Sequence, residues 1–415
     1  MRTTGRRLCL AIVIAAFFAS VNIAQPPAVK PRARQLGVPF DGQPGKLDAI
    51  TDVAGVEVGM TTLITGNGPL KVGEGPVRTG VTVVLPRGKA DTEPVYAGWF
   101  SLNGNGEMTG TTWIEEAGLL SGPVAITNTH SVGVVRDSII GWAIHKAKVG
   151  DEDDSWSLPV VAETWDGFLN DVNGFHVKPE HVFSALDGAK AGPVQEGNVG
   201  GGTGMVCYGF KGGTGTASRV VSKEMGGYTV GVLVQCNCGR RPQLTIAGVP
   251  VGKEIPEGAP YAQINAPGPD NSSAVATAKT QSAKLPGSEA DGDVGSIIIV
   301  IATDAPLLPH QLKRLARRAS LGLARTGSAS GNGSGDIFIA FSTANRASDK
   351  APGPNTVTTV SNARISPIFN ATVEATEEAI VNAMVGAETM TGRDGHTVMA
   401  LPHERLQQIL KKYNR

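Results

Sequence analysis

One short segment restricts the possible folds of this chain more than any other: the apolar run 297–302, which follows Gly295 and Ser296. None of the six residues in the run carries a polar side chain, so a β-strand formed from them is apolar on both faces. Such a strand must be covered on both sides by other layers. A long polar tract ends at Gly295, and Ser296 therefore lies where solvated chain becomes core.

Hydrophobic patterns elsewhere predict an α/β protein. Between about residues 53 and 252, short β-rich runs alternate with glycine turns, and one helix-like segment lies among them. The runs are GVTVVLP, GPVAITN, SLPVVAETWDG, YTVGVLVQ and LTIAGVPVG, and the helix-like segment is SVGVVRDSIIGWAIHKAKV. After the apolar run come a helix starting near Pro306 and Pro309, a second buried strand, DIFIAFST, and two C-terminal helices. Strands and helices in both parts of the chain predict stacked α/β layers.

Composition and charge limit the class of partner. The 415 residues include 37 Lys plus Arg and 37 Asp plus Glu, so no overall field favours nucleic acid or an anionic membrane. We expect a small, roughly neutral substrate. No spacing of ligands predicts a metal or a cofactor, because the seven histidines are dispersed.

The N-terminus has the pattern of a secretory signal at residues 1–24. Arg2, Arg6 and Arg7 precede an apolar run that is too short to span a bilayer, and Ala24 is a plausible cleavage point. A proline-rich segment follows at once and cannot continue a helix. We therefore expect a secreted, periplasmic protein that is soluble after removal of the signal.

A change of composition at about residues 265–295 predicts an exposed linker. This tract contains no aromatic residue and no apolar run, and such segments are where chains are cut. The expected organisation is an α-chain at 25–295 and a β-chain at 296–415 that together form one folded domain.

Familiar hydrolase templates are absent from the sequence. No serine has the G-x-S-x-G context, and His403-Glu404 lacks the second histidine of a zinc protease. An N-terminal nucleophile fits better: cleavage before Ser296 would place its hydroxyl beside a new α-amine, whose pKa of roughly 7.7–8.0 suits a general base. Gly295 supplies a backbone that can adopt the turn needed for attack on its own carbonyl.

Two further features of the sequence each allow more than one structural interpretation. The segment EGNVGGGTGM, residues 196–205, is either a close-packed turn or the lining of a site, and it lacks the lysine of a phosphate-binding loop. Outside the signal remain Cys207, Cys236 and Cys238, an odd number that cannot all pair within one chain. Small buried residues are the preferred interpretation of these cysteines.

Six motifs together resemble one family. They are ITDVAGVEVG, VVAETWDGFLND, EGNVGGGTGM, VLVQCNCG, GSIIIVIATDAPLLPHQ and GSGDIFIAFST. From about residue 35 to the C-terminus the chain resembles the L-aminopeptidase/D-amidase/D-esterases and β-peptidyl aminopeptidases. That resemblance implies a four-layer αββα sandwich, similar to N-terminal-nucleophile hydrolases but differently connected and shared with ornithine acetyltransferases. It also implies self-cleavage into two chains and a tetramer of those pairs.

The resemblance also implies roles for individual residues. Ser296 matches the nucleophile, Ser334 a second serine that assists proton transfer, and Asp336 an acidic partner that is glutamate in some relatives. Asn237 matches an oxyanion donor, and Glu163 a residue that holds the ammonium group of the substrate. Trp165 stands where some members have a tyrosine that donates to the oxyanion. Without the resemblance, a turn cap before a strand is the preferred interpretation of Ser334 and Asp336, whereas Glu163 and Asn237 are unusual in strands.

The predicted function is a self-processing serine aminopeptidase. It would release N-terminal residues from short peptides, amides or esters through an acyl-enzyme, with β- or α-amino acid preference left open. The alternatives are an acyltransferase of the ornithine acetyltransferase type, whose members use threonine as nucleophile, and a non-catalytic binding protein of the same fold.

Overall fold

A computed structural model describes residues 30–147, 156–260, 295–346, 353–354 and 356–415. Residues Pro31–Arg415 cluster as one compact unit. The predicted signal at 1–24 and nearly all of the predicted linker lie outside the described residues. In the ranges that are described, none of the helices combines the length and the hydropathy needed to cross a membrane.

The strands form two main sheets. A six-stranded sheet has the order β4-β3-β12-β11-β10-β9, and a four-stranded sheet has the order β1-β2-β5-β6. In chain order, the strands of these sheets and of two small hairpins are β1 (Glu57–Thr65), β2 (Val77–Leu85), β3 (Val95–Gly104), β4 (Leu119–Leu120), β5 (Val124–Asn128), β6 (Val160–Thr164), β7 (Val206–Cys207), β8 (Phe210–Lys211), β9 (Gly213–Val220), β10 (Thr229–Asn237), β11 (Ser296–Thr303), β12 (Gly335–Ser342), β13 (Met390–Thr391) and β14 (Thr397–Val398).

Helices cover the outer face of each sheet. The helices described are α1 (Thr111–Ala117), α2 (Val132–Ala147), α3 (Pro179–Asp187), α4 (Val251–Glu254), α5 (Pro309–Arg325), α6 (Ser366–Val385) and α7 (His403–Lys412). Helices α5 and α6 pack on the six-stranded sheet, and α2 and α3 pack on the four-stranded sheet. The predicted αββα order of layers is thereby confirmed.

Strand β11 explains why the apolar run has no polar position. Ile297, Ile299 and Ile301 belong to the core between the six-stranded sheet and its helices. Ile298 and Val300 belong to the core between the two sheets. Both faces of the strand are thus buried, as the uninterrupted run predicts.

The pairing of β11 joins the two parts of the chain on either side of Gly295. Strand β10 pairs with β11 in antiparallel register, and β12 pairs with β11 in parallel register. One strand from before the predicted cleavage point therefore lies directly beside the strand that begins at Ser296.

The predicted helices after residue 296 are confirmed, with α5 beginning at Pro309 and burying its apolar stripe of Leu312, Leu315, Ala316, Ala319 and Leu323. The prediction of a strand at LTIAGVPVG is wrong. Ile246 and Val249 exchange two backbone hydrogen bonds across a tight turn, because Ala247 and Gly248 have φ values of 53° and 75°.

The prediction of a single helix before residue 252 is also incomplete, because α1, α3 and α4 are present as well. Helix α3 begins with Pro179 in its first turn and buries Val182, Ala185 and Leu186. This apolar spacing was readable as a helix, whereas α1 and α4, with seven and four residues, are too short for a clear period.

Candidate active site

The strand register brings the predicted catalytic residues to one edge of the six-stranded sheet. Ser296 is the first residue of β11 and lies opposite Asn237, the last residue of antiparallel β10. Because β12 runs parallel to β11, its own beginning, with Asp336, reaches the same edge. Asn237, Ser296 and Asp336, which are successively 59 and 40 positions apart in the chain, thus meet at one place because their strands start or end there.

Ser296 is almost completely buried, with 5% of its surface exposed. Its Oγ accepts a hydrogen bond of 3.1 Å from the backbone N–H of Gly335. A donated N–H stabilises negative charge on the oxygen, so this contact favours the alkoxide that forms when the hydroxyl attacks. The hydroxyl is therefore oriented in the uncut chain.

Ser334 and Asp336 flank Gly335 and are joined to each other. The Ser334 hydroxyl donates a 2.6 Å hydrogen bond to Asp336 Oδ1, and both side chains are buried. A serine held by a carboxylate in this way can pass a proton, and the backbone N–H between the two residues contacts Ser296.

Gly295 packs against the end of β10. A Cβ atom built on Gly295 would lie 2.4 Å from the carbonyl oxygen of Asn237 and 2.7 Å from the Cα of Cys238. No side chain fits there, so glycine before Ser296 is required by the close approach of two backbones.

Two backbone groups orient the side-chain amide of Asn237. Its Oδ1 accepts a 2.7 Å hydrogen bond from the N–H of Val206, and its Nδ2 donates a 3.0 Å bond to the carbonyl of Trp165. These two partners assign the oxygen and the nitrogen of the amide. Since an amide nitrogen carries two hydrogens, one N–H remains to serve as an oxyanion donor.

Glu163 is a buried carboxylate at the end of β6. Its Oε2 accepts a hydrogen bond from the Thr129 hydroxyl, and its Oε1 accepts one of 3.1 Å from the backbone N–H of Glu107. Burial raises the pKa of Glu163, and these two hydrogen bonds oppose the rise. The nearby charge of Glu107 raises the pKa further, while His130 lowers it. A cation would stabilise the ionised form at this position.

The segment 105–109 connects Glu163 to the nucleophile. The N–H of Asn105 donates to the Ser334 carbonyl, and the N–H of Thr109 donates to the Val161 carbonyl in β6. A Cβ built on Gly106 would lie 3.1 Å from the Cα of Gly335 and 3.3 Å from Glu163 Oε1. One small residue therefore separates the buried carboxylate from the glycine that contacts Ser296.

Trp165 contributes its backbone to this arrangement. Its carbonyl holds Asn237, while its side chain is 37% exposed and lies over Gly167. The next residue, Asp166, is fully buried, and burial raises its pKa to about 7. Asp166 accepts a hydrogen bond from the Asn170 side chain, and its carbonyl accepts the backbone N–H groups of Leu169 and Asn170, which forms the turn that follows Trp165. Donation by the indole N–H to an oxyanion stays a prediction.

The glycine loop, residues 196–205, is a close-packed turn. Cβ atoms on Gly202 and Gly204 would lie 2.2 Å from the backbone atoms Thr214 N and Arg78 O, respectively. The loop leads directly into β7, whose first residue, Val206, holds Asn237. It thus serves the site through its backbone.

The three cysteines are buried side by side next to Asn237. Cys207 and Cys236 form a disulfide, and the Cys238 sulfur lies 4.0 Å and 3.9 Å from their sulfurs. The prediction that the three cysteines are small buried residues is correct in that all three side chains are buried. The disulfide ties the segment that orients the Asn237 amide to the strand that carries Asn237.

The predicted site residues thus lie close together around the start of β11, but sequence reasoning missed some of their partners. Thr129, which donates to Glu163, follows the strand β5, and β5 runs parallel to β6. The ends of neighbouring parallel strands meet, so its place after GPVAITN was a usable signal once that pairing was known. The backbone donors of Glu107 and Gly335 carry no side-chain signal.

Comparison with known proteins gives a consistent picture. Residues 48–398 match the model of peptidase family S58. The chain is 57% identical over 387 residues to the β-peptidyl aminopeptidase BapA of Sphingosinicella microcystinivorans, covering 93% of each chain. It is 50% identical over 386 residues to BapA of Sphingosinicella xenopeptidilytica, covering 92% of this chain and 91% of the relative.

Solved structures extend the similarity to three dimensions. The L-aminopeptidase D-Ala-esterase/amidase of Ochrobactrum anthropi, a prototype serine aminopeptidase with a variant of the Ntn hydrolase fold, superposes with a TM-score of 0.82 at 49% identity. That match covers 93% of this chain and 99% of the other. A β-aminopeptidase of Burkholderia sp. gives a TM-score of 0.77 at 46% identity, covering 92% of this chain and 99% of the other.

Proposed function

The chain belongs to peptidase family S58 and is an aminopeptidase, and we propose that it activates itself by cleavage at Gly295-Ser296 and then uses Ser296 as its nucleophile. The observation that carries the proposal is the position of the Ser296 hydroxyl, which Gly335 holds at the edge shared by Asn237 and Glu163. Membership in a peptidase family sets aside both alternatives, an acyltransferase and a non-catalytic binding protein.

Self-cleavage would proceed by attack of Ser296 on the residue before it. The Oγ atom adds to the Gly295 carbonyl carbon, the C–N bond breaks, and the nitrogen of Ser296 takes the proton. Water then hydrolyses the ester, which gives a Gly295 carboxylate and restores the serine hydroxyl. The products are a free α-amine and a hydroxyl on one residue.

The same groups would act on a substrate. The α-amine of Ser296, with a pKa of roughly 7.7–8.0, takes the hydroxyl proton as Oγ attacks the substrate carbonyl. Asn237 donates a hydrogen bond to the oxyanion. The leaving amine departs with a proton supplied by the protonated α-amine of Ser296 or by the Ser334–Asp336 pair. Water attacks the resulting ester and releases the amino acid.

Glu163 would make the enzyme an aminopeptidase by pairing with the ammonium group of the substrate. Glu163→Gln removes the charge but keeps the shape, so kcat/KM for free-amine substrates should fall by roughly a hundredfold to several thousandfold, since breaking a buried pair costs roughly 3–5 kcal/mol. N-acetylated substrates should remain as poor as for the wild type. Steady-state kinetics on both substrate classes measure the effect.

The matched control for Glu163 is Glu107→Gln. Glu107 is exposed and adds negative charge near Glu163, while only its backbone contacts the carboxylate. If general negative charge were sufficient, both variants would lose activity equally. Equal wild-type rates on free and N-acetylated substrates would refute the ammonium-binding role.

We also propose a preference for substrates with an N-terminal β-amino acid. The support is the similarity to two β-peptidyl aminopeptidases at 57% and 50% identity over nearly the whole chain. A panel of p-nitroanilides should show higher kcat/KM for β-alanine and β-homo amino acids than for the matching L- and D-α-amino acids. Faster turnover of the α-amino series would contradict the preference and leave the aminopeptidase activity intact.

We further propose that the protein is exported to the periplasm and assembles as a tetramer of cleaved pairs. The basic and apolar pattern of residues 1–24 supports secretion to the periplasm, and family resemblance supports a tetramer of cleaved pairs. N-terminal sequencing of protein from the periplasmic fraction tests the first point, and a chain that keeps Met1 would refute it. Mass photometry tests the second, since a mass of one cleaved pair would exclude the tetramer.

A further inference from the structure

Lys211, in β8, is a lysine with no exposed surface beside the glycine loop. Its Nζ donates hydrogen bonds of 2.8 Å and 2.9 Å to the carbonyls of Met205 and Gly212, and a longer one of 3.4 Å to Gly202. Burying an ammonium group costs several kcal/mol, roughly, unless hydrogen bonds satisfy it. These hydrogen bonds place a positive charge against the backbone of the glycine loop.

A single peptide group, Met205–Val206, lies between the Lys211 ammonium group and the side chain of Asn237, the proposed oxyanion donor. The Met205 carbonyl that accepts from Lys211 belongs to the same peptide group as the N–H of Val206. That N–H donates the 2.7 Å bond to Asn237 Oδ1. The Met205 carbonyl also accepts a 2.9 Å bond from the N–H of Gly212, so both of its lone pairs face donors.

These contacts form a continuous chain of polarised amides. A cation on the carbonyl of a peptide group makes its N–H a stronger donor, and a stronger donor on Asn237 Oδ1 makes the Asn237 N–H groups stronger donors in turn. We propose that Lys211 is a positioning residue that strengthens the oxyanion hole: its ammonium group polarises Asn237 through the Met205–Val206 peptide. The proposal rests on the proposed role of Asn237 as oxyanion donor.

The first test is Lys211→Met, which keeps the length and removes the charge. Removing an oxyanion donor outright lowers kcat roughly a hundredfold to a thousandfold, so weakening one should lower kcat by about tenfold with KM unchanged. Because the same oxyanion hole serves self-cleavage, kcat must be expressed per cleaved chain, counted by intact-mass analysis. An unchanged kcat in Lys211→Met overturns the proposal.

The decisive test repeats Lys211→Met in the Asn237→Ala background. If Lys211 acts through Asn237, the second substitution should change kcat by less than about twofold, because the two residues then share one effect. A further tenfold loss would show that Lys211 acts independently, as a structural support. If Asn237→Ala alone keeps its kcat, the proposed role of Asn237 fails, and a loss in Lys211→Met must have another origin.

A control separates polarisation from simple support of the glycine loop. The Thr214 hydroxyl donates a 2.9 Å hydrogen bond to the Val199 carbonyl and holds the same loop without contacting the Met205–Val206 peptide. Thr214→Val should therefore leave kcat within about twofold of the wild type. A loss equal to that of Lys211→Met would favour loop support and contradict the proposal.

A second variant keeps the proposal testable if Lys211→Met does not fold. Lys211→Gln retains a neutral donor to the Met205 carbonyl, so it should give a kcat between those of Lys211→Met and the wild type. The same comparison with Asn237→Ala applies to it. Thermal denaturation of each cleaved variant verifies that the fold is intact before its kcat is interpreted.

Discussion

Ser296→Ala is expected to leave the chain uncut and without aminopeptidase activity. The substitution removes the Oγ atom that both steps require, and loss of a catalytic serine elsewhere lowers kcat by roughly a millionfold. Intact-mass analysis should give a single species of precursor length after signal removal. Chromogenic amide hydrolysis should be at the level of a buffer control.

A matched control for this variant lies at the other end of the same sheet. Ser342 is the last residue of β12, is fully buried, and donates a 2.6 Å hydrogen bond to the Ala305 carbonyl. Ser342→Ala should lower the free energy of unfolding by about 1–3 kcal/mol yet still be cleaved. Two fragments that meet at residue 296 in Ser296→Ala itself would show that another protease does the cutting.

The geometry of the uncut chain supports cleavage without a large rearrangement. The Gly335 N–H already contacts Ser296 Oγ, and Gly295 is pressed against the backbone of β10. A nucleophile that is oriented before reaction loses less entropy in reaching the transition state. Self-cleavage and substrate hydrolysis can therefore share one preformed set of groups.

Much of the fold was predictable because the run 297–302 within β11 has no polar position. A strand that is apolar on both faces requires a layer on each side. The structure has helices on one face of the sheet and the second sheet on the other. The hairpin turn at Ala247 was not predictable from hydrophobic pattern, since its left-handed backbone at a residue other than glycine breaks the rule on which turn prediction rests.

The site was predictable where one residue conflicted with its surroundings. A glutamate ending an apolar strand, as at Glu163, and an asparagine ending another, as at Asn237, are unfavourable unless they have partners. The partners themselves were not predictable. Thr129 and Lys211 meet the site only through strand pairing and loop packing, and their own sequence contexts are those of ordinary residues.

Asn237→Ala should lower kcat by roughly a hundredfold to a thousandfold while KM changes little. In the proposed mechanism the remaining N–H of the amide donates where negative charge develops, and one such donor contributes about 2.7–4 kcal/mol to transition-state stabilisation. Self-cleavage should slow as well, because attack on the Gly295 carbonyl generates the same charge. Kinetics must therefore be measured on protein that has been incubated until it is fully cleaved.

Asn382→Ala is the control that separates catalysis from structure. Asn382, in α6, is also buried and also bridges two backbone groups, accepting from the Ala33 N–H and donating to the Thr216 carbonyl. Both variants should lose about 1–3 kcal/mol of unfolding free energy, because each leaves buried backbone groups unsatisfied. Only Asn237→Ala should lose kcat, since α6 lies on the outer face of the sheet and not at the Ser296 edge. Near-normal kcat in fully cleaved Asn237→Ala would make this asparagine structural and would place the oxyanion hole elsewhere.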